Sequence, residues 1–387
     1  MQRTPGMPGC GKGELMKKTV ALILSILVFL PVSLSSAVSA DGDTVTEGPL
    51  TFTAYDGYCV LTRCDGSAEG DIAIPGSVGF GGGKLPLKSV AAESFSGCAG
   101  VTGVIIPDGV TGVGYRAFYG CTGLESVSVP GSVSIIGAAA FEGCSALSDA
   151  AMGNGIKTIH YYAFAGCRKL AGITIPDSAE EINEYAFSGC TGLTAVVIPA
   201  GVKYLSTEAF SGCTSLESIS VSDKNQVYHS ENGCVIGTES KTLVLGLDGG
   251  IIPGDGSVTS IGAGAFRGRT GLECVSIPQS VTSIGGYAFD GCSGLKTVIY
   301  KGTEEQWKET DIGPCNDFLL DAVFIFSGPE TGDCNEDGKV NNKDVVSLFR
   351  YVSSGAAGAD PAVFDANGDG KINNKDVVAL FRRVSAG

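Results

Sequence analysis

Two stretches near the C-terminus carry the side chains best placed for chemistry. Residues 333–344 read Asp-Cys-Asn-Glu-Asp-Gly-Lys-Val-Asn-Asn-Lys-Asp, and residues 365–376 read Asp-Ala-Asn-Gly-Asp-Gly-Lys-Ile-Asn-Asn-Lys-Asp. The same twelve-residue pattern thus occurs twice, 32 residues apart. Asp333, Asn335, Asp337, Asn341 and Asp344 fall at positions 1, 3, 5, 9 and 12 of the first copy. Asp365, Asn367, Asp369, Asn373 and Asp376 repeat them. Gly338 and Gly370 stand at position 6, where the chain must turn sharply, and the carbonyls of Lys339 and Lys371 stand at position 7. Hard oxygen donors at these offsets are what a Ca²⁺ ion needs, so each copy is a candidate site for one ion.

The elements around the loops narrow the reading. Each loop runs into the same apolar stretch, Val345-Val346-Ser347-Leu348-Phe349-Arg350 or Val377-Val378-Ala379-Leu380-Phe381-Arg382. No entering helix fits before the first loop, because Ser327-Gly328-Pro329-Glu330-Thr331-Gly332 cannot form one. Position 12 is Asp, where an EF-hand usually has Glu. Two loop–helix units without entering helices resemble the type I dockerin module of bacterial cellulosomes, over residues 329–387. The resemblance implies a small all-α domain with two Ca²⁺ ions, docking into a cohesin domain of a scaffolding protein. It also implies cohesin contacts at loop positions 10 and 11 and on the following helix. Those positions are Asn342, Lys343, Leu348 and Arg350, repeated as Asn374, Lys375, Leu380 and Arg382. The competing reading is a calcium staple that only stabilises the chain end.

The rest of the chain is periodic. Phe recurs at 95, 118, 141, 164, 187 and 210, and again at 266 and 289, always 23 residues apart within each run. Ala precedes each except Phe95. Cys follows three residues later at 98, 121, 144, 167, 190, 213 and 292, with Arg269 as the exception. A fixed period of this length means a solenoid, because one unit cannot bury its own apolar face. Within a unit, Leu124, Val127 and Val129 predict a short strand ended by Pro130, which has no donor for the ladder. Val133 and Ile136 predict a second extended piece, and Ala-Phe-x-Gly-Cys the returning turn. The repeated Ala-Phe-x-Gly-Cys-x-x-Leu-x-x-Val-x-Ile-Pro resembles the BspA-like leucine-rich repeat family of bacterial surface proteins, over residues 50–326. The expected fold is therefore a leucine-rich-repeat solenoid of short β-strands plus the small all-α module.

Domain organisation follows. Residues 41–89 read as an N-terminal cap and first irregular repeat, 90–299 as repeats, 300–326 as a C-terminal cap, 327–332 as a linker and 333–387 as the dockerin. Residues 214–265 break the period, since 56 residues separate Phe210 and Phe266. An irregular repeat with a protruding hairpin, tipped by Tyr228 to Val235, is expected there. Repeat 3 is degenerate, with Gly153 in place of Pro. The outward positions of the main strand ladder are Ile105, Ser128, Ala151, Thr174, Val197, Ser220, Ser276 and Ile299, a flat and weakly apolar strip.

The 14 Cys do not read as a disulfide framework. Equivalent residues in stacked repeats sit about 4.8 Å apart with parallel Cβ vectors, whereas a disulfide wants converging Cβ atoms. A buried ladder of free thiols is preferred over metal binding or mixed disulfides. Cys59 and Cys64 are the best candidates for a real disulfide.

Lys17-Lys18, the apolar run Val20–Leu30 and Val38-Ser39-Ala40 make residues 16–40 a secretion signal. Residues 1–15 fit no signal peptide and read as an upstream mis-start. The net charge of −15 argues against nucleic acid and anionic membrane partners. No membrane insertion is expected after signal cleavage, since no later apolar run spans a bilayer. Two His (160 and 229) and one Trp (307) leave little for catalysis or sugar stacking. No Ser elbow, Cys–His pair, HExxH or phosphate loop occurs, and Glu180-Glu181 and Glu304-Glu305 read as solvated surface. The expectation is a secreted, cell-surface, non-catalytic recognition or adhesion protein, held on an extracellular scaffold through its dockerin. The alternative is an accessory enzyme or inhibitor of plant polysaccharide degradation recruited to the same scaffold.

Overall fold

The computed structural model describes residues 42–327, 334, 340, 342–354, 361–367 and 371–386. The segments read as mis-start and signal peptide lie outside them.

The solenoid is built from two parallel ladders joined by turns. The back ladder runs Gly83–Val90, Gly112–Val113, Ile135–Ile136, Thr158–Ile159, Glu181–Ile182, Tyr204–Leu205. The front ladder runs Gly70–Ala73, Val101–Ile105, Ser126–Val129, Asp149–Met152. Registers such as Ile135↔Thr158 and Val127↔Ala150 repeat the 23-residue period of the sequence. An antiparallel meander, Thr44–Glu47, Leu50–Tyr55 and Tyr58–Cys64, closes the N-terminal end of the back ladder.

The turn column explains the motif. Successive Phe rings from Phe95 to Phe210 stack with centroids 4.7 to 5.4 Å apart, all buried. The Gly before each column position has φ between 67° and 77°, from Gly97 to Gly291. A side chain there would be strained, so Gly is required. Every column thiol after Cys98 donates to the Phe carbonyl of the preceding repeat, at 3.1 Å for Cys144 to Phe118 and 3.0 Å for Cys292 to Phe266. The column is therefore a line of S–H···O=C bonds along the solenoid as well as packing. Arg269 substitutes for the thiol by donating Nη1 to the Cys213 carbonyl at 2.9 Å.

Cys59 and Cys64 are both free, which corrects the disulfide expectation. Their thiols turn to different partners. Cys59 donates to the Leu85 carbonyl, while Cys64 and Cys98 both donate to that of Asp65.

The insert also departs from expectation. Tyr228–Glu231 and Cys234–Gly237 do form a hairpin, turning at Asn232-Gly233. It does not protrude. All four residues of Cys234–Gly237 are buried, and Thr242–Gly246 extends the sheet into a parallel ladder with Ser260–Ile261, Ser283–Ile284 and Asp311–Ile312. Val235 packs into the core on one side, Cys234 and Ile236 into the core on the other. An apolar strand with two apolar neighbours is more stable as an internal wall than as an exposed hairpin.

At the C-terminal end, α1 (Glu304–Lys308) starts from a capping box of Thr303 and Gln306. Trp307 packs on Tyr300 and Phe324 at 5.1 and 4.8 Å, so it serves the cap. Asn316, at the start of α2 (Asp317–Leu320), donates to the carbonyls of Gly285 and Gly313 and accepts from the Phe289 amide. It thereby ends the turn column. The last front strands are Cys274–Ile277, Thr297–Tyr300 and Val323–Phe326.

The front ladder has one unexpected break. Residues 172–175, expected to carry the next strand after Asp149–Met152, pair with it nowhere. A single bridge, Gly172 to Ala195, joins them to Ala195–Ile198.

Candidate calcium loops and docking faces

Beyond the solenoid, α3 (Asn342–Ser354) and α5 (Asn374–Ala386) carry the two copies of the exiting sequence, with α4 (Pro361–Phe364) between them. Their small core holds Cys334, Leu348, Val363 and Leu380. Each helix places the position-12 carboxylate in its first turn. Asp344 and Asp376 are both fully buried. Burying an ionised carboxylate is costly unless it is paired or holds a metal.

The second loop shows what converges on that carboxylate. Asp376 Oδ1 accepts from the Asn367 amide at 3.2 Å and from Asn367 Nδ2 at 2.7 Å. Its Oδ2 accepts from the Asn373 amide at 2.8 Å. Asn373 Nδ2 donates to the Lys371 carbonyl at 3.3 Å. The predicted donors Asn367, Lys371, Asn373 and Asp376 therefore meet. Among the described residues, the hydrogen-bond partners of Asp376 are neutral amides. With these amides turned aside, the side-chain oxygens of Asn367, Asn373 and Asp376 and the Lys371 carbonyl would supply the hard donors that a divalent cation takes. Asp365 is described, whereas Asp333, Asn335, Asp337, Lys339, Asn341 and Asp369 lie outside the described residues.

The docking residues divide. Asn342, Lys343, Arg350, Asn374, Lys375 and Arg382 are exposed. Asn342, Lys343 and Arg350, with Val346 and Ser347, line a shallow depression of about 390 Å³. Leu348 and Leu380 are fully buried in the module core, which corrects their assignment as contacts. Leu348 lies four residues after Asp344 on the same helical face, so it must point inward with it. The next residue turns outward. Phe349 and Phe381 are 55% and 54% exposed, and Val346 and Val378 are exposed beside them. Sequence reasoning missed these four, although the i to i+4 spacing from a buried ligand carried the signal.

On the solenoid, the acid pairs are surface features. Glu180 bridges Lys157 and Lys203 at 2.7 and 2.6 Å, and these hydrogen bonds bring its carboxyl down to about 2. Glu304 pairs with Lys308. His160 is held below its ordinary pKa by burial.

The sequence model of the BspA type leucine rich repeat region matches six copies, over residues 84–190, 146–245 and 251–310. The chain belongs to the BspA type leucine-rich repeat family. The model of the dockerin type I domain matches residues 331–385, so the chain also carries a type I dockerin, a module that binds calcium and cohesin domains in general. No curated relative matches the chain. Among solved structures, a leucine rich cell surface protein from Faecalibacterium prausnitzii is similar at 25% identity, with 70% of this chain and 97% of that one covered and a TM-score of 0.44. A leucine-rich repeat protein from Bacteroides ovatus is similar at 26% identity, over 75% and 79% of the two chains, with a TM-score of 0.46. The pneumococcal vaccine antigen PcpA is similar at 12% identity, over 84% and 93%, with a TM-score of 0.49. Among the described residues no helix is long and apolar enough to cross a membrane.

Proposed function

We propose that this is a secreted, non-catalytic recognition protein whose repeat domain is displayed on an extracellular, cellulosome-like scaffold. Its dockerin, loaded with two Ca²⁺ ions, docks into a cohesin domain of that scaffold. The observation that carries the reading is the pair of buried carboxylates, Asp344 and Asp376, each in the first turn of a helix that exposes Lys, Phe and Arg. The ions, when bound, supply positive charge that neutralises the buried carboxylates and fixes the loops. The chain's own residues then do the docking: Asn342, Lys343 and Arg350 on one helix, Asn374, Lys375 and Arg382 on the other. Exposed Phe349 and Phe381 add apolar area to each face. A negatively charged chain with basic residues concentrated on these two helices suits an acidic cohesin surface. The test is capture of the full chain by a panel of immobilised type I cohesins, with and without chelator. Calcium-dependent capture by a cohesin is expected. Failure of every cohesin in the presence of Ca²⁺ would sink the reading.

A further inference from the structure

The first thiol pair of the solenoid is arranged unlike the rest. Cys64 ends the strand Tyr58–Cys64 of the N-terminal meander. Its amide donates to the Ser94 carbonyl at 2.5 Å, as the Phe95 amide donates to that of Ala117 and the Phe118 amide to that of Ala140, both at 2.7 Å. Ser94 precedes Phe95 as Ala117 precedes Phe118. Cys64 therefore stands one rung before Phe95, in the place of a column Phe, and its side chain is buried. The ring stack itself begins at Phe95. Cys98 belongs to the other column, three residues past Phe95, and is buried as well.

That difference in place changes the sulfur geometry. Cys121 and Cys144 come from equivalent positions on successive rungs, where Cβ vectors run parallel and a disulfide is disfavoured. Cys64 and Cys98 come from different positions of the turn, on the two sides of the seam between the cap and the first regular repeat. Their thiols converge. Both donate to the Asp65 carbonyl, at 3.6 and 3.7 Å, and they lie within hydrogen-bond reach of one another. Cys59 and Cys234, by contrast, turn to the carbonyls of Leu85 and Ile251. The seam itself needs fastening, because a solenoid end without its cap exposes the core. On the back ladder the meander meets Gly83–Val90 at three paired positions, with a register shift between Cys59 and Val60.

We propose that Cys64 and Cys98 form a redox latch: under extracellular oxidising conditions they join as a disulfide that ties the N-terminal cap to the first regular repeat, and the free thiols of this structure are its reduced state. The Cys64 thiolate attacks one sulfur of an external disulfide, forming a mixed disulfide and releasing one thiolate. The Cys98 thiolate then attacks the Cys64 sulfur and releases the second. The two cysteines lose two electrons, the external disulfide gains them, and the two protons pass to the released thiolates. Burial pushes the Cys64 thiol up to about 12, so exchange is slow in the closed cap and proceeds as the meander docks or opens. The supply of oxidant rests on the secreted location argued above; the convergence of the two sulfurs does not.

The full, calcium-loaded chain is reduced and then held in a series of ratios of reduced to oxidised glutathione. It is trapped with acid, alkylated in denaturant and mapped by mass spectrometry. A peptide pair joining Cys64 to Cys98 is expected, and it persists in at least about a tenfold excess of reduced glutathione. On oxidation, amide hydrogen exchange across residues 44–64 slows by about tenfold or more, while residues 266–292 do not change. Cys64→Ser and Cys98→Ser each lose the link and the slowing, whereas Cys121→Ser keeps both. Exchange of residues 266–292 in the reduced variants confirms that each is folded. No link in oxidised glutathione, glutathione left on Cys64 without displacement by Cys98, or links between column neighbours such as Cys98 and Cys121 would overturn the proposal. So would a link that leaves exchange in the cap unchanged. Detecting the chain by antibody in the medium or on the cell surface reads its location separately, so that a missing bridge is not mistaken for missing export.

Discussion

Cys144 shows how much one side chain of the column does. It is fully buried and donates its thiol to the Phe118 carbonyl at 3.1 Å. Cys144→Ser keeps a donor facing the same carbonyl and should cost about 1 kcal/mol or less. Cys144→Ala leaves a sulfur-sized void and should cost about 1–2 kcal/mol. Cys144→Val forces methyl groups between rungs and should cost about 1–3 kcal/mol. Denaturant unfolding of the three variants checks the order; Ser behaving worst would show that the S–H···O bond contributes nothing. The thiols also set a pH limit. Burial pushes Cys59 up to about 11, and Cys64 and Cys292 to about 12, from an ordinary 9.0. A raised folded pKa means the folded chain holds the proton more tightly than the unfolded one. That contribution is complete below pH 9 and is lost as pH rises from 9 toward 12. The unfolding midpoint should therefore fall above pH 9, less steeply in Cys292→Ala, and the column thiols should resist alkylation until the chain is denatured. A flat midpoint through pH 10.5 would count against buried, protonated thiols. The column was legible in the sequence from its spacing alone. The separate partners of Cys59 and Cys64 were not, because they depend on how the N-terminal meander meets the first repeat.

At the level of elements, the solenoid must carry its turn column past the insert, and Arg267 is the staple. Its Nη1 donates to Glu208 Oε1 and to the Tyr185 hydroxyl, both at 2.7 Å, and its Nε to Asp290 at 3.1 Å. The guanidinium lies over the rings of Tyr185 and Tyr287 at 5.8 and 5.2 Å. One side chain thus ties turns on both sides of a 56-residue interruption. Arg267→Ala leaves the half-buried Glu208 carboxylate without its cation, with the Tyr185 hydroxyl still donating to it, and should cost about 1–3 kcal/mol, allowing for its partial exposure. Because stability in a solenoid is carried by neighbouring interfaces, hydrogen exchange should rise around 204–213 and 260–269 and stay unchanged near 95–121. Uniform loss across all repeats would contradict that. The 23-residue period revealed the ladders, the turns and the position of the irregular unit. It did not reveal Arg267, since contacts 59 and 82 residues apart follow from which turns end up adjacent. The burial of the hairpin was readable in principle. Cys234-Val235-Ile236 and Leu243-Val244-Leu245 are continuous apolar runs, the pattern of strands covered on both faces.

For the whole molecule, separate apolar cores imply separable behaviour. The dockerin core, built around Leu348, Val363 and Leu380, shares no residue with the two solenoid clusters. It is small, and two carboxylates are buried in its helices, so its folding is expected to depend on bound metal. Chelation should remove most of the helical circular dichroism of the full chain and leave the β-signal in place, with recovery on adding Ca²⁺. A spectrum indifferent to chelator would defeat this. The docking geometry follows from the same repetition. Asn342, Lys343, Val346, Phe349 and Arg350 recur as Asn374, Lys375, Val378, Phe381 and Arg382, exposed on helices of equal length. Two matching faces related by sequence would give one cohesin two equivalent ways to bind. Replacing Asn342, Lys343 and Arg350 by Ala should then leave affinity within about threefold, since the second face remains. Replacing Asn374, Lys375 and Arg382 as well should abolish binding. Adding Phe349→Ala and Phe381→Ala singly distinguishes the faces further, because neither ring supports the module core. Circular dichroism with Ca²⁺ confirms that each variant is folded before its affinity is read. If the first triple substitution alone abolishes binding to the folded module, the two faces are not equivalent and a single orientation carries the attachment.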